Sequence, residues 1–159
     1  MRYAGIVEND VVNGEGVCTS FFMQGCPHRC KGCHNPETWN FEGGKEASLS
    51  EIIEEILNAI DKNGIQRNFS VLGGEPFAKE NVYPLFVILW QVKKTFPNIK
   101  TFVWTGFTLE ELKEIPMSDS ILQYIDVLID GKFIEEERDI TLKLRGSKNQ
   151  RILYKGTDY

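Results

Sequence analysis

The segment "VCTSFFMQGCPHRCKGC", Val17 to Cys33, joins an apolar run directly to a cluster of cysteines. β-Branched and aromatic residues dominate its first half, which predicts a strand that ends near Gly25. The second half holds Cys26, Cys30 and Cys33 in the spacing C-x3-C-x2-C. Its proline and glycine residues predict a loop rather than a helix. We therefore expect a strand that delivers three thiols to one end of the fold.

The overall composition is that of a globular protein. The chain has 159 residues, of which 42% are hydrophobic and 26% are charged, so we expect a single domain over residues 1–159. A net charge of −5 without a basic cluster argues against nucleic-acid binding. The N-terminus lacks the apolar region of a signal peptide, and no apolar run is long enough to span a bilayer. These features predict a cytoplasmic protein with no membrane or nucleic-acid partner.

Three cysteines so close together point to metal chemistry, because disulfides are disfavoured in a reducing cytoplasm. Thiolates suit either zinc or an iron–sulfur cluster. A closed zinc site needs a fourth ligand, for which His28 and His34 are available. A 4Fe-4S cluster held by three cysteines instead keeps one iron without a protein ligand. The fourth cysteine, Cys18, lies in the predicted strand and is expected to be a buried core residue.

Apolar strands and amphipathic helices alternate along the chain. Ser48 with Glu51, and Thr108 with Glu111, form capping boxes that predict the starts of two helices. Asn81 is expected to open another helix between them. The segments that predict strands are, in chain order, VCTSFFMQG, FSVLGG, KTFVWTG, YIDVLID and QRILY.

Most of these strands are continuous apolar runs, which is typical of a parallel sheet covered by helices. The fold class is therefore α/β. We expect an incomplete (partial) TIM-type βα barrel or a curved, mostly parallel sheet of about five to six strands, because the chain is too short for eight βα units. Functional loops lie at the carboxyl ends of such strands. The cysteine loop, GGEP (Gly73 to Pro76), WTGF (Trp104 to Phe107) and DGKF (Asp130 to Phe133) all follow predicted strands, so we expect one common site.

These motifs together resemble the radical S-adenosylmethionine (radical SAM) enzymes, in which a C-x3-C-x2-C loop follows one strand and GGEP follows the next. Within that superfamily the chain is similar to the glycyl-radical activases that act on anaerobic ribonucleoside-triphosphate reductase. The blocks NGEGVCTSFFMQGC, CHNPETW, VWTGF, DVLIDGKF and LRGSKNQR carry the narrower resemblance, and they run from Asn13 to Arg151. The resemblance implies a radical SAM core fold.

The resemblance also implies a mechanism. Cys26, Cys30 and Cys33 would hold a 4Fe-4S cluster, and its free iron would bind the amino and carboxylate groups of S-adenosylmethionine. One electron, supplied by a donor such as flavodoxin, would cleave that cofactor to methionine and a 5′-deoxyadenosyl radical. The radical would take a hydrogen atom from a glycine of the partner, anaerobic ribonucleoside-triphosphate reductase. The cofactors carry this chemistry, so no side chain is assigned a catalytic role.

Further residues are assigned to the cofactor in the same way. The carbonyl groups of Gly73, Gly74 and Glu75 would accept hydrogen bonds from the methionine ammonium, although an ordinary strand-to-helix turn explains the two glycines equally well. Lys132 would pair with the methionine carboxylate, and Asp130 would contact the ribose or a cation. The alternative for these two residues is a turn with solvated charges.

Other positions depart from the family pattern or leave several roles open. Many radical SAM enzymes have an aromatic residue just before the third cysteine, where this chain has glycine, and His34 is the expected substitute near the adenine. Trp104 stands where some activases have an acidic cation ligand, so a core tryptophan is expected instead. Arg145, Asn149 and Arg151 either line the site, grip the partner's loop or are surface residues.

Two other functions stay open on the sequence. A small radical enzyme that acts on a free metabolite, such as a 7-carboxy-7-deazaguanine synthase, would share the cluster. The short C-terminus after RGSKNQR leaves little chain to enclose such a substrate. A non-enzymatic adaptor stabilised by zinc would bind one zinc ion in place of about four irons.

Overall fold

A seven-stranded sheet organises the chain in the computed structural model, which describes residues 1–159. The strands are β1 Arg2–Asp10, β2 Cys18–Met23, β3 Lys45–Glu46, β4 Asn68–Gly73, β5 Thr101–Trp104, β6 Val127–Asp130 and β7 Arg151–Tyr154. Across the sheet they stand in the order β3-β1-β2-β4-β5-β6-β7. The central strands β2, β4, β5 and β6 are parallel neighbours, whereas β1, β3 and β7 pair antiparallel at the two sides.

Four helices connect the strands. They are α1 Leu49–Ile60, α2 Val82–Thr95, α3 Leu109–Leu112 and α4 Ser118–Leu122. Both predicted capping boxes are confirmed: Ser48 and Thr108 each exchange hydrogen bonds with the glutamate three residues later. Asn81 does precede α2, but its side chain does not cap the helix. None of the helices combines the length and the apolar composition that crossing a bilayer requires.

The helices cover one face of the sheet. Phe21, Val71 and Val103 on that face pack with apolar residues of all four helices in one buried cluster. The opposite face carries a second, small cluster centred on Phe102 and Ile129, because successive residues of a strand point to opposite faces. No helix covers it, and residues of the C-terminal segment pack there instead. Cys18 is fully buried, as predicted.

The sheet is larger than the five to six strands expected from the sequence, because β1 and the two-residue β3 were not predicted. β1 is antiparallel to β2 and extends the sheet on that side. All five predicted strands are present, and four of them are the parallel ones. A partial TIM-type barrel with a radical SAM core stays a prediction.

Candidate functional site

Four loops meet at one edge of the sheet. Because β2, β4, β5 and β6 run parallel side by side, the loops that follow them leave from the same edge. A cavity of about 390 Å³ lies there, and its wall includes the three clustered cysteines, the GGEP turn, part of the WTGF turn and Gly131 and Phe133 of the DGKF turn. The prediction that these motifs share one place in the fold is confirmed.

Backbone hydrogen bonds hold the first part of the cysteine loop in place. The amide of Gly25 donates to the carbonyl of Thr38 at 2.8 Å, and the amide of Cys26 donates to the carbonyl of Trp39 at 3.1 Å. Gly25 has φ +94°, and a Cβ atom there would stand 2.2 Å from the ring of Phe41. The loop therefore enters the site through a position that only glycine can occupy.

The residues around the cavity fit a 4Fe-4S cluster. Cys26, Cys30 and Cys33 all border the cavity. In a cubane cluster each thiolate binds a different iron, so three cysteines in one cavity wall suit it. Two further lining residues, Trp39 and Arg145, have buried nitrogen donors with no partner. Such donors suit a ligand rich in acceptor atoms.

The cysteine thiols are partly buried, and this affects their protonation. Desolvation by burial is the main influence on Cys26 and Cys30, and it raises the pKa of both thiols. Burial therefore favours the neutral thiol over the thiolate at both positions. Metal binding requires thiolates, so loading the site releases protons and becomes more favourable as the pH rises.

The GGEP turn packs directly on the start of the cysteine loop. The amide of Gly74 donates to Met23 at 2.8 Å, and the amide of Glu75 donates to Gly25 at 2.8 Å. A Cβ atom on Gly74 would stand 2.5 Å from the carbonyl oxygen of Gly25, and one on Gly73 would stand 2.9 Å from that of Met23. Close approach of the chain's own backbone thus explains why both positions are glycine.

The carboxylate of Glu75 joins three of the four loops. It is buried and accepts hydrogen bonds from the hydroxyl of Thr105 at 2.7 Å and from the amides of Gly106 and Phe77 at 2.7 and 2.9 Å. Its Oε2 atom also lies 2.8 Å from Nε2 of His28, between the first two cysteines. The cysteine spacing suggested His28 only as a zinc ligand, and the GGEP motif suggested Glu75 only through its carbonyl, so this side-chain network was not predicted.

Two of the three carbonyl groups predicted to receive the methionine ammonium, those of Glu75 and Gly74, differ in availability. The carbonyl of Glu75 already accepts from the amide of Ala78 at 3.1 Å and from Nδ2 of Asn81 at 2.9 Å. The carbonyl of Gly74 accepts no hydrogen bond within the protein, and Gly74 lines the cavity. Among these predicted acceptors, Gly74 is therefore better placed than Glu75 to bind a donor of a ligand.

The DGKF turn places its two charged residues in very different surroundings. Asp130 is fully buried, and its carboxylate accepts from the amide of Leu109 at 2.7 Å and from Nε of Arg151 at 2.9 Å. Lys132 is exposed, and it does not line the cavity. A contact of Asp130 with ribose would have to compete with these internal partners. The pairing of Lys132 with a carboxylate stays a prediction.

Two further candidate residues, His34 and Trp104, both lie in the wall of the cavity. His34 lines the cavity and packs edge to face on Phe133, with ring centroids 5.9 Å apart. Trp104 is half-buried, lines the cavity and donates from Nε1 to the carbonyl of Leu144 at 2.8 Å. It is therefore a wall residue of the cavity as well as a member of the small apolar cluster. The role of His34 near an adenine stays a prediction.

Of the three polar residues near the C-terminus, one faces the site. Arg145 lines the cavity. Asn149 donates to the carbonyl of Lys132 at 2.7 Å. Arg151 forms ion pairs with Asp130 and Glu110. Asn149 and Arg151 thus stabilise the DGKF turn and its surroundings, whereas Arg145 borders the cavity.

Comparison with known proteins agrees with this arrangement. The family model described as "4Fe-4S single cluster domain" matches residues 12–153. Proteins named anaerobic ribonucleoside-triphosphate reductase-activating protein are similar over nearly their whole length. The one from Pasteurella multocida is 38% identical over all of both chains. The one from Haemophilus influenzae is 40% identical over 96% of this chain and 97% of its own. The one from Enterobacteria phage T4 is 37% identical over 99% of this chain and 96% of its own.

The extent of these matches decides the family. The family model covers most of the chain, including the cysteine loop and the GGEP, WTGF and DGKF motifs. The relatives align from end to end at identities well above 30%. The chain therefore belongs to the 4Fe-4S single cluster domain family and, within it, to the family of anaerobic ribonucleoside-triphosphate reductase-activating proteins.

Proposed function

We propose that this chain is a radical SAM enzyme that activates anaerobic ribonucleoside-triphosphate reductase by forming a glycyl radical on it. One observation carries the proposal: three cysteines from a single loop border the same cavity as the free carbonyl of Gly74. The reductase is inferred as the partner because the relatives are named as its activating proteins.

Cys26, Cys30 and Cys33 would hold the 4Fe-4S cluster and leave one iron without a protein ligand. A reduced cluster held there would supply one electron for the cleavage of S-adenosylmethionine to methionine and a 5′-deoxyadenosyl radical, and that radical would take a hydrogen atom from a glycine of the reductase. In the cytoplasm a donor such as flavodoxin would supply the electron. The cofactors carry this chemistry, and the protein binds, orients and shields them.

The chain's own residues provide the orientation. Gly74 offers a free carbonyl to the methionine ammonium, and the network of Glu75 fixes the loops on which the cysteines and Gly74 stand. Trp104 and Phe133 add apolar walls beside the cysteines. These walls keep water and stray hydrogen donors away from a reactive species. Preorganised groups of this kind need no rearrangement during the reaction.

Electron paramagnetic resonance tests the proposal. Reduced, cluster-loaded protein is mixed with S-adenosylmethionine and the reductase without oxygen, and a doublet from a glycyl radical is expected. The doublet should collapse to a single line when the reductase carries α-deuterated glycine, because the splitting comes from the α-hydrogen. It should be absent when the target glycine is replaced by alanine, or when the activating chain carries Cys30→Ala.

The same preparations separate the proposal from its rivals. Iron and sulfide near four per chain are expected, whereas an adaptor stabilised by zinc would contain one zinc ion. An active preparation that gives no doublet but turns over a deazaguanine precursor would overturn the activase proposal and support a metabolite enzyme.

A further inference from the structure

The three most exposed large apolar side chains of the chain lie on the two segments beside the cavity. Ile140 is 85% exposed, Val12 76% and Val11 71%, and we call these residues the apolar rim. Val12 lines the cavity, and so does Leu142, two residues after Ile140. No residue of the rim belongs to either buried apolar cluster. Single exposed apolar residues are ordinary, but several at one opening mark an interaction surface.

The exposure of the lining residues shows where the cavity opens. Among the residues that line it, only Val12 and His34 are exposed to solvent. A lining residue that is also exposed stands where the cavity meets solvent, so these two side chains mark the mouth. Val11 does not line the cavity and therefore lies just outside it. A molecule that reaches into the cavity from solvent passes beside the rim.

The turn that carries the two valines has a fixed backbone. Oδ1 of Asp10 accepts hydrogen bonds from the amides of Val12 and Asn13 at 2.8 and 3.1 Å. The carbonyl of Asn13 accepts from the hydroxyl of Ser70, in β4, at 2.5 Å. The turn is thus anchored both to its own strand and to the centre of the sheet. A binding surface that is already ordered loses little conformational entropy when a partner binds.

The segment that carries Ile140 lies against this turn. Nζ of Lys143 is 3.3 Å from Oε1 of Glu15, which belongs to the turn. Such an exposed ion pair adds little to stability, but it shows that the two segments are neighbours. The aliphatic side chains of the rim therefore stand on adjoining segments at one side of the mouth.

We propose that the apolar rim is a docking surface for the reductase and receives aliphatic or aromatic side chains that flank the target glycine. The inference rests on the proposed function, which supplies this partner. A radical formed in the cavity reaches only a glycine that enters the mouth, so the segment of the reductase with that glycine passes Val12. Apolar side chains beside the glycine remove the rim from water, which is favourable. A second copy of the chain on the rim would instead obstruct the mouth.

Binding of the reductase to the cluster-loaded protein tests the inference. Val11→Ser combined with Ile140→Ser should weaken the affinity, measured by anaerobic isothermal titration, by about ten- to a hundredfold, the range expected when two aliphatic side chains no longer become buried. Neither residue lines the cavity. Ile65→Ser is the matched control, because Ile65 is 57% exposed and precedes β4, at the opposite edge of the sheet. Its affinity should equal that of the wild type.

Two further measurements show what the rim recognises. Val11→Ile combined with Ile140→Val keeps the rim apolar, and its affinity should stay close to that of the wild type. A photoreactive benzoylphenylalanine in place of Ile140 should form a crosslink to the reductase near its target glycine, whereas the same replacement of Ile65 should not. Iron content and circular dichroism of each variant establish that it is folded and loaded.

The possible results have distinct meanings. Wild-type affinity in the double serine variant, or an equal loss in Ile65→Ser, would overturn the docking assignment. The proposed function would still stand, because the glycyl radical formed by the wild type tests it separately. Crosslinks from position 140 to a second copy of this chain would also overturn the assignment and make the rim a self-association surface. If the cluster-loaded wild type formed no glycyl radical on the reductase, the proposed function would fall and this inference with it.

Discussion

Nε2 of His28 lies 2.8 Å from Oε2 of Glu75, and both side chains are almost completely buried, at 7% and 1% exposure. The contact joins the cysteine loop to the GGEP turn. His28 also packs edge to face on Phe107, with ring centroids 4.5 Å apart. A Cβ atom on Gly106 would stand 2.4 Å from the His28 ring. The histidine is thus enclosed by the turns that follow β4 and β5.

Removing the Glu75 carboxylate should loosen this part of the fold. Glu75→Ala leaves the hydroxyl of Thr105, two backbone amides and His28 without their acceptor, so we expect a loss of about 3–5 kcal/mol in the free energy of unfolding. Glu75→Gln should cost less, because one carbonyl oxygen remains. Urea unfolding measures both. Glu80→Ala, which changes an exposed glutamate in the same connection, is the control and should have little effect on the free energy of unfolding. A similarly small effect of Glu75→Ala would contradict the proposed role of Glu75.

Gly74→Ala should displace the cysteine loop. The new Cβ atom would stand 2.5 Å from the carbonyl oxygen of Gly25, and that backbone cannot move without shifting the adjacent Cys26. We expect the purified variant to keep less iron after reconstitution than the wild type. Gly5→Ala is the matched control, since a Cβ atom there meets nothing within 4 Å. Equal iron content in the two variants would show that the close backbone contact is unimportant for the cluster.

The cysteines should divide into three that hold the cluster and one that does not. Alanine at Cys26, Cys30 or Cys33 should abolish iron and sulfide binding after anaerobic reconstitution. Cys18→Ala should retain both, because Cys18 is buried in the core away from the cavity. Iron and sulfide analysis with visible absorption checks this. If Cys18→Ala lost iron as completely as Cys30→Ala, the cluster would have four cysteine ligands and no open iron.

Much of the fold could be predicted from the sequence because the central strands are continuous apolar runs. The strand that precedes the cysteine loop pairs with β4 along its whole length, and the loops that follow the parallel strands meet as expected. β1 was missed because it is a side strand with mixed burial. The two residues of β3 are a strand only through their pairing with β1, which no local pattern shows.

The site was predictable where a motif is short and local, and less so where it depends on distant segments. The cysteine spacing correctly placed three thiols at one cavity. The sequence does not show whether Lys132 or Arg145 faces that cavity, because the path of the irregular segment between them decides it. The network of Glu75 joins residues up to 47 positions apart, so no spacing rule reveals it.

Arg151 connects the end of β6 to α3 through two carboxylates, Asp130 and Glu110. Its hydrogen bond to Glu110 is the main cause that lowers the pKa of this carboxyl from 4.5 to about 2. Because the folded state has the lower pKa, the ionised carboxylate stabilises the fold above about pH 4.5. This contribution disappears as the pH falls toward 2.

Glu110→Gln should therefore lower the free energy of unfolding near neutral pH and have little effect near pH 2. Urea unfolding at a series of pH values measures the difference between this variant and the wild type. We expect the difference to shrink steadily between about pH 4.5 and pH 2, because protonated glutamate and glutamine are both neutral partners for Arg151. High salt should reduce it as well, since both side chains are exposed to solvent. A difference that stayed constant across this pH range would mean that Glu110 acts through packing and not through its charge.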